Sequence, residues 1–82
     1  MRYGIVFSKA AMREMGKLAP AVERRVTSKI ARLANGLSGD VKRLRHFTPR
    51  YRLRVGDWRV LFDIEGDSVV IHHVSHRSEA YE

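Results

Sequence analysis

The segment that most constrains the fold of this chain is residues 51–81, YRLRVGDWRVLFDIEGDSVVIHHVSHRSEAY. It contains three runs in which apolar residues alternate with polar ones or dominate. Two short polar turns, Gly56-Asp57 and Glu65-Gly66-Asp67, separate these runs. Short turns of this composition between alternating runs are typical of β-hairpins. The pattern therefore predicts three consecutive antiparallel strands.

The first of these strands has one apolar face and one charged face, because successive side chains of a strand point to opposite sides. Its two sets alternate as Tyr51, Leu53 and Val55 against Arg50, Arg52 and Arg54. A two-residue turn places Arg54 opposite Arg59, and like charges directly opposite each other are destabilising. We therefore expect the face that carries Arg52, Arg54 and Arg59, here called the arginine face, to bind an anionic ligand.

The last predicted strand, Val69 to Ser75, is assigned the same two-residue alternation. In that register His73 joins Val69 and Ile71 on the apolar face. The arginine face then gains four further residues, Val70, His72, Val74 and His76.

The N-terminal half predicts one strand and two helices. A strand from Arg2 to Phe7 is followed by Ser8, a helix N-cap, and by a helix over Lys9–Leu18. A second helix starts at Pro20, shows the apolar spacing of an amphipathic helix, and ends at Asn35-Gly36. Residues 37–49 read as a loop or a partly ordered connector. The resulting prediction is one α+β domain over residues 1–82, in the order β-α-α-β-β-β. It has a small antiparallel-rich sheet and an αα-hairpin on its apolar face.

The net charge is +7 in a chain of 82 residues. A balance this basic favours a polyanionic partner, most often nucleic acid, with an acidic protein as the alternative. Cysteine is absent, which excludes disulfides and thiolate chemistry and fits the reducing cytoplasm. No apolar run approaches the roughly 18 residues that a membrane span needs, so we expect no membrane partner.

The sequence lacks the motifs that mark most enzyme classes. It has no HExxH and no glycine-rich phosphate loop, and adjacent His72 and His73 point to opposite faces of a strand, so we expect no metal and no cofactor. Cleavage of RNA by its own 2′-OH needs neither a metal nor a protein nucleophile, only proton transfer and charge neutralisation at the phosphate. The residues that could supply these are Arg52, Arg54, Arg59, His72, His76, Arg77 and Tyr81. Simple binding of nucleic acid or of an acidic protein remains open at this point.

Segment 51–81 resembles the C-terminal half of the RelE/ParE toxin superfamily of bacterial and archaeal toxin–antitoxin systems. The matching motifs are the strand Y-R-L-R, the turn and strand G-D-W-R, the apolar last strand and the ending H-R-S-E-A-Y. The N-terminal half agrees, with a strand ending in F-S-K-A-A and two helices divided near a proline. The resemblance implies a RelE-like fold.

The resemblance also implies a function. RelE-like members cleave mRNA in the ribosomal A site, whereas ParE-like members inhibit DNA gyrase and lack the nuclease residues. The residues that match the nuclease branch are Arg52 and Arg54 as the basic pair, Arg59, Arg77 and Tyr81. Their presence favours a metal-independent endoribonuclease that acts on mRNA on the ribosome through attack by the 2′-OH.

The resemblance implies roles for these residues. Tyr81 is expected to act as the base, and Arg59 and Arg77 to hold the scissile phosphate. RNA or phosphate binding is expected at Arg50, Arg52, Arg54, Lys42, Arg43 and Arg45. The basic pair of the best-known RelE-type site is lysine, and arginine holds its proton too tightly to be a good acid. The general acid therefore stays open between Arg77, His76 and His72.

The implied partners are a cognate antitoxin, mRNA and the ribosome with its rRNA. Operator DNA is expected only through the antitoxin complex. Three rival readings stay open: a ParE-like gyrase inhibitor, an inactive binding module of the same fold, and a small RNA-binding protein unrelated to toxins.

Overall fold

The computed structural model describes residues 2–79, which form one five-stranded mixed sheet with two helices on one face. The strand order is β1-β5-β4-β3-β2. β1 pairs with β5 in parallel, and the other neighbours are antiparallel. This architecture confirms the predicted α+β class. The elements are β1 (Gly4–Phe7), α1 (Lys9–Gly16), α2 (Pro20–Arg32), β2 (Val41–Arg43), β3 (Tyr51–Val55), β4 (Trp58–Glu65), β5 (Ser68–His76) and a 3₁₀ turn (Arg77–Glu79).

Ser8 fixes the junction between β1 and α1. Its hydroxyl accepts a hydrogen bond from the Ala11 N–H at 3.0 Å, which caps the first turn of the helix. The same hydroxyl donates to the carbonyl oxygen of His72 at 3.0 Å. The predicted N-cap is therefore confirmed, and it also ties the start of α1 to the middle of β5.

The core lies between the two helices and the sheet. The helices contribute Val26 and Ile30, and the sheet contributes Phe62 among others, each at most 2% exposed. Burying one side chain of this size stabilises the fold by about 1.5–3 kcal/mol. The predicted apolar face is thus the face that the helices cover. The sheet residues that pack there include Leu53, Val55, Val60, Val69, Ile71 and Val74.

The β3–β4 hairpin has the predicted register. Arg54 pairs with Arg59, and Val55 pairs with Trp58. Gly56 in the turn has a φ of +59°, a conformation that glycine adopts at low cost.

The connector between α2 and β3 was predicted wrongly. It contains β2, an edge strand that pairs antiparallel with β3, so the sheet has five strands where the predicted order has four. β2 has only three residues, too few to show an alternating pattern. It is held by its neighbour: Val41 pairs with Leu53, and the Arg54 N–H donates to the Asp40 carbonyl at 3.0 Å.

The register of β5 was also predicted wrongly beyond Ile71. Phe62 pairs with Ile71 but Leu61 pairs with His73, which is a β-bulge with one extra residue in β5. Every later residue of β5 therefore changes face. His73 lies on the arginine face, while Val74 and His76 lie opposite Val60 and Trp58 on the helix-covered face.

Candidate functional site

The arginine face is more enclosed than the sequence suggested. Arg52 and Arg59 are only 8% and 7% exposed. Residues 44–50 fold back over this side of the sheet, where Phe47, Thr48 and Pro49 border a cleft floored by Leu61. The two arginines are therefore held in a restricted environment.

Asp40 pairs with two residues of this face at once. Its Oδ1 is 3.2 Å from Arg52 Nη1, and its Oδ2 is 2.7 Å from Arg54 Nε. Its carbonyl oxygen also accepts from Arg52 Nη1 at 3.1 Å. The hydrogen bond from Arg54, and then the one from Arg52, lowers the pKa of the Asp40 carboxyl below its usual value. One carboxylate thus balances one of the two positive charges in the basic pair.

Arg59 and Arg77 converge on the β3–β4 turn. Arg59 Nη1 donates to the carbonyl oxygens of Gly56 at 2.9 Å and Trp58 at 3.2 Å. The Arg77 N–H donates to the Asp57 carbonyl at 2.7 Å, and Arg77 Nη1 lies 3.8 Å from Asp57 Oδ1. Arg77 is exposed and Arg59 is buried. The two cations are therefore brought to the same turn, one as a fixed anchor and one at the surface.

His76, a predicted catalytic residue, does not join Arg59 and Arg77 at this turn. The His76 ring packs edge-on against Trp58, with ring centroids 5.3 Å apart, and its Nδ1 is 3.1 Å from Ser78 Oγ. Because of the bulge, it lies on the face opposite Arg59 rather than beside it. Tyr81 lies outside the described residues.

The other predicted phosphate-binding residues divide into two groups. Lys42 lies on the edge strand β2, where it pairs with Arg52 of β3, and it is exposed. Arg43, Arg45 and Arg50 line an open cleft of about 830 Å³, completed by Leu44, His46, Phe47 and Thr48. No acidic side chain among residues 2–79 lines this cleft, so it is a basic surface beside the arginine face.

A second cleft, of about 520 Å³, crosses the arginine face itself, and here it is called the sheet cleft. It is lined by Glu14, Phe47, Thr48, Pro49, Leu61, His73, Ser75 and Glu79. Ser75 is the direct strand partner of Arg59. Two of these residues, His73 and Glu14, were not among the predicted site residues, because regular alternation assigns His73 to the core and nothing in the sequence pairs it with α1.

The helices carry most of the net charge. Residues 9–32 contain seven basic and two acidic side chains, a net charge of +5 out of the total of +7. All seven basic residues are exposed, and none of them forms an ion pair with another residue between positions 2 and 79. By contrast, Arg52 and Arg54 on β3 and Arg77 in the 3₁₀ turn each have an acidic neighbour.

Residues 2–79 offer neither a metal site nor a membrane-spanning helix. No group of three or more His, Asp or Glu side chains there could hold a metal ion. Neither helix in that range is long and apolar enough to cross a membrane.

The fold and the arginine face agree with the family of small basic proteins that the sequence resemblance indicated. Residues 5–81 match the model of the ParE toxin of type II toxin–antitoxin systems, parDE, and the chain belongs to this family. It is 24% identical to Toxin RelE3 of Methanocaldococcus jannaschii over 95% of this chain and 94% of that one.

Solved structures show the same fold. The RelB–RelE antitoxin–toxin complex of Methanococcus jannaschii gives a TM-score of 0.76 at 24% identity, covering 93% of this chain and 94% of its match. The toxin–antitoxin complex RelBE2 of Mycobacterium tuberculosis gives 0.73 at 27% identity, covering 94% and 100%. The predicted membership of the RelE/ParE superfamily is confirmed, and the chain is a toxin of a type II system.

Proposed function

We propose that this toxin is a metal-independent endoribonuclease that cleaves mRNA on the ribosome. The observation that carries the proposal is the convergence of Arg59 and Arg77 on one turn, next to Arg54 on the paired strand. Two arginines that contact the same turn suit a phosphate that gains negative charge in the transition state, because guanidinium groups stay charged and bind phosphate oxygens in pairs.

In the proposed reaction the 2′-oxygen of the RNA attacks the adjacent phosphorus. Tyr81 takes the 2′-OH proton, and Arg59 and Arg77 stabilise the charge on the phosphate. The P–O5′ bond breaks, giving a 2′,3′-cyclic phosphate and a 5′-OH. Flanking phosphates bind Arg52 and Arg54, and Lys42, Arg43, Arg45 and Arg50 extend this basic path beyond the arginine face.

The proposed partners follow from the charge and from the relatives. The two solved relatives above are complexes of a toxin with its antitoxin, and we propose a cognate antitoxin for this chain as well. A net charge of +7 favours association with mRNA and rRNA and with an acidic antitoxin surface. Operator DNA would be bound only through the antitoxin complex, and the toxin would act in the cytoplasm.

The test is induction of the chain alone in bacteria, with primer extension on a translated reporter mRNA. Wild type should produce cuts in phase with codons, and Arg59→Ala should reduce cleavage by about 10²–10³-fold, as for loss of one transition-state donor. Arg2→Ala is the matched control, because Arg2 is exposed and pairs through its backbone with Asn35 on the far side of the sheet. Full cleavage by a folded Arg59→Ala protein would refute the assignment.

A second function is favoured by one observation: the family model that matches the chain is that of the ParE toxin. A ParE-like toxin would inhibit DNA gyrase and leave mRNA intact. Growth arrest with uncut reporter mRNA and induced DNA damage would establish this alternative, and Arg59→Ala would then leave the arrest unchanged.

A further inference from the structure

His73 is the only histidine of β5 that lines the sheet cleft. Its Nδ1 lies 3.4 Å from Glu14 Oε2, and its side chain is 47% exposed. The other Glu14 oxygen, Oε1, accepts a hydrogen bond from the Val74 N–H at 2.8 Å. The Glu14 carboxylate is therefore held by the backbone of β5, just past the part of β5 that pairs with β1. From its place on α1 this carboxylate faces the His73 imidazole.

His73 and Arg59 occupy nearby strand positions on the arginine face. His73 pairs with Leu61, and Ser75 pairs with Arg59, so the two pairs are two residues apart along the strands. At the strand rise of about 3.3 Å per residue this separation is roughly 7 Å, and side chains on such a diagonal can reach a common group. Arg59 Nη1 is directed to the turn carbonyls of Gly56 and Trp58, so the scissile phosphate would lie between the rest of that guanidinium group and the cleft.

We propose that His73 is the general acid of the cleavage reaction and that Glu14 is its positioning residue; this inference rests on the proposed ribonuclease function. The proton on His73 Nε2 moves to the 5′-oxygen as the P–O5′ bond breaks, while the 2′-OH proton goes to the base. His73 ends neutral and the leaving group ends as a 5′-hydroxyl. Because Nδ1 faces Glu14, Nε2 is the nitrogen left for the substrate.

This assignment fills the acid role that the sequence left open. Arginine is a poor acid, and His76 packs against Trp58 on the other face. His72 Nε2 lies 3.8 Å from Asp63 Oδ2, and His72 does not line the sheet cleft.

Charged groups on three elements surround the imidazole. Glu14 faces it from α1, Glu79 lines the same cleft from the 3₁₀ turn, and Arg59 lies diagonally across on β4.

The experiment compares two leaving groups on ribosomes programmed with a short mRNA. One substrate carries the natural 5′-oxygen at the scissile linkage, and the other carries a bridging 5′-sulfur, which departs as a thiolate without needing a proton. With the oxygen substrate, His73→Gln should lower the single-turnover rate by about 10²–10⁴-fold, the usual contribution of a general acid. With the sulfur substrate, the single-turnover rate of His73→Gln should be within a few-fold of the wild-type rate. This activity would also show that the variant is folded.

Three further variants make the result specific. Glu14→Gln keeps an acceptor for the Val74 N–H but loses the charge, so it should show a smaller loss that sulfur also rescues. Arg59→Ala should be slow with both substrates. Glu23→Gln is the matched control for Glu14→Gln, because Glu23 is an exposed carboxylate of the other helix, and it should match wild type.

The outcomes separate this inference from the proposed function. If His73→Gln lowered the cleavage rate equally on both substrates, or on neither, the role assigned to His73 would be wrong. The wild-type protein would still be a ribonuclease. If wild type cleaves neither substrate, the ribonuclease function fails and the inference fails with it.

Discussion

Asp40 is the internal counter-ion of the basic pair, and replacing it with asparagine should change how the protein binds RNA. In the free protein its carboxylate is shared between Arg52 and Arg54. A phosphate that binds these arginines must compete with this carboxylate. Asp40→Asn removes the competing charge but keeps an oxygen that can accept a hydrogen bond, so the variant should bind single-stranded RNA more tightly.

The size of the effect follows from the number of arginines released. For single-stranded nucleic acid, each phosphate neutralised contributes about 0.7 to the slope of log K against log salt. If both arginines bind a phosphate, the slope of log K against log salt steepens by about 1.4. If only the more exposed Arg54 binds one, the slope steepens by about 0.7. The side chain of Arg54 is 55% exposed and that of Arg52 only 10%, so we expect a change nearer the smaller value.

The assay is fluorescence anisotropy of a labelled single-stranded RNA, titrated at several salt concentrations between about 50 and 200 mM. Asp63→Asn serves as the control, because it removes the same charge from a carboxylate whose Oδ1 binds the Arg50 backbone N–H. If the two variants show the same slope and affinity, the gain comes from net charge alone and the role assigned to Asp40 is wrong.

Two further predictions concern stability. The pKa of Asp40 is lowered in the folded protein by its hydrogen bonds to Arg54 and Arg52. Its contribution to stability is therefore present above the unfolded pKa of the carboxyl and lost as pH falls through the folded one. The Tm difference between wild type and Asp40→Asn should accordingly be largest near neutral pH and vanish in strong acid, and a difference that persists in acid would contradict this. Phe62→Ala should lower the free energy of unfolding by about 3–5 kcal/mol, because Phe62 is fully buried and stacks on Tyr51 at 5.4 Å. Chemical denaturation checks this prediction, with Phe47→Ala, at a ring that is 36% exposed, as the control expected to lose less.

The parts of the fold that could be read from the sequence are those with local, repeated signals. β3 alternates strictly and is followed by a short glycine-containing turn, so the register of the β3–β4 hairpin was predicted residue by residue. Ser8 and Pro20 are local start signals, and both helices begin next to them. β2 has no such signal, because its three residues become a strand only when β3 lies beside them.

The site was less predictable, because its contacts join residues that are distant in the sequence. Arg59 and Arg77 could be selected by motif, but the partner of the basic pair is Asp40, in a connector 12 and 14 residues before the two arginines. The pair of His73 with Glu14 joins β5 to α1 across 59 residues. Neither carboxylate is marked by spacing, since only the closed fold brings it to its partner.

The bulge in β5 has a physical cause that is visible in the sequence once the core is known. Val69 and Ile71 have the two-residue spacing of one strand face, but the next aliphatic residue of that face, Val74, follows after three. A regular strand would turn Val74 to the arginine face and bury the His73 imidazole under the helices. That would forfeit about 1.5–3 kcal/mol of side-chain burial and add the cost of burying a polar ring without a partner. One inserted residue restores Val74 to the core at 3% exposure and leaves His73 in the sheet cleft. The same packing requirement that completes the core therefore delivers an imidazole to the arginine face.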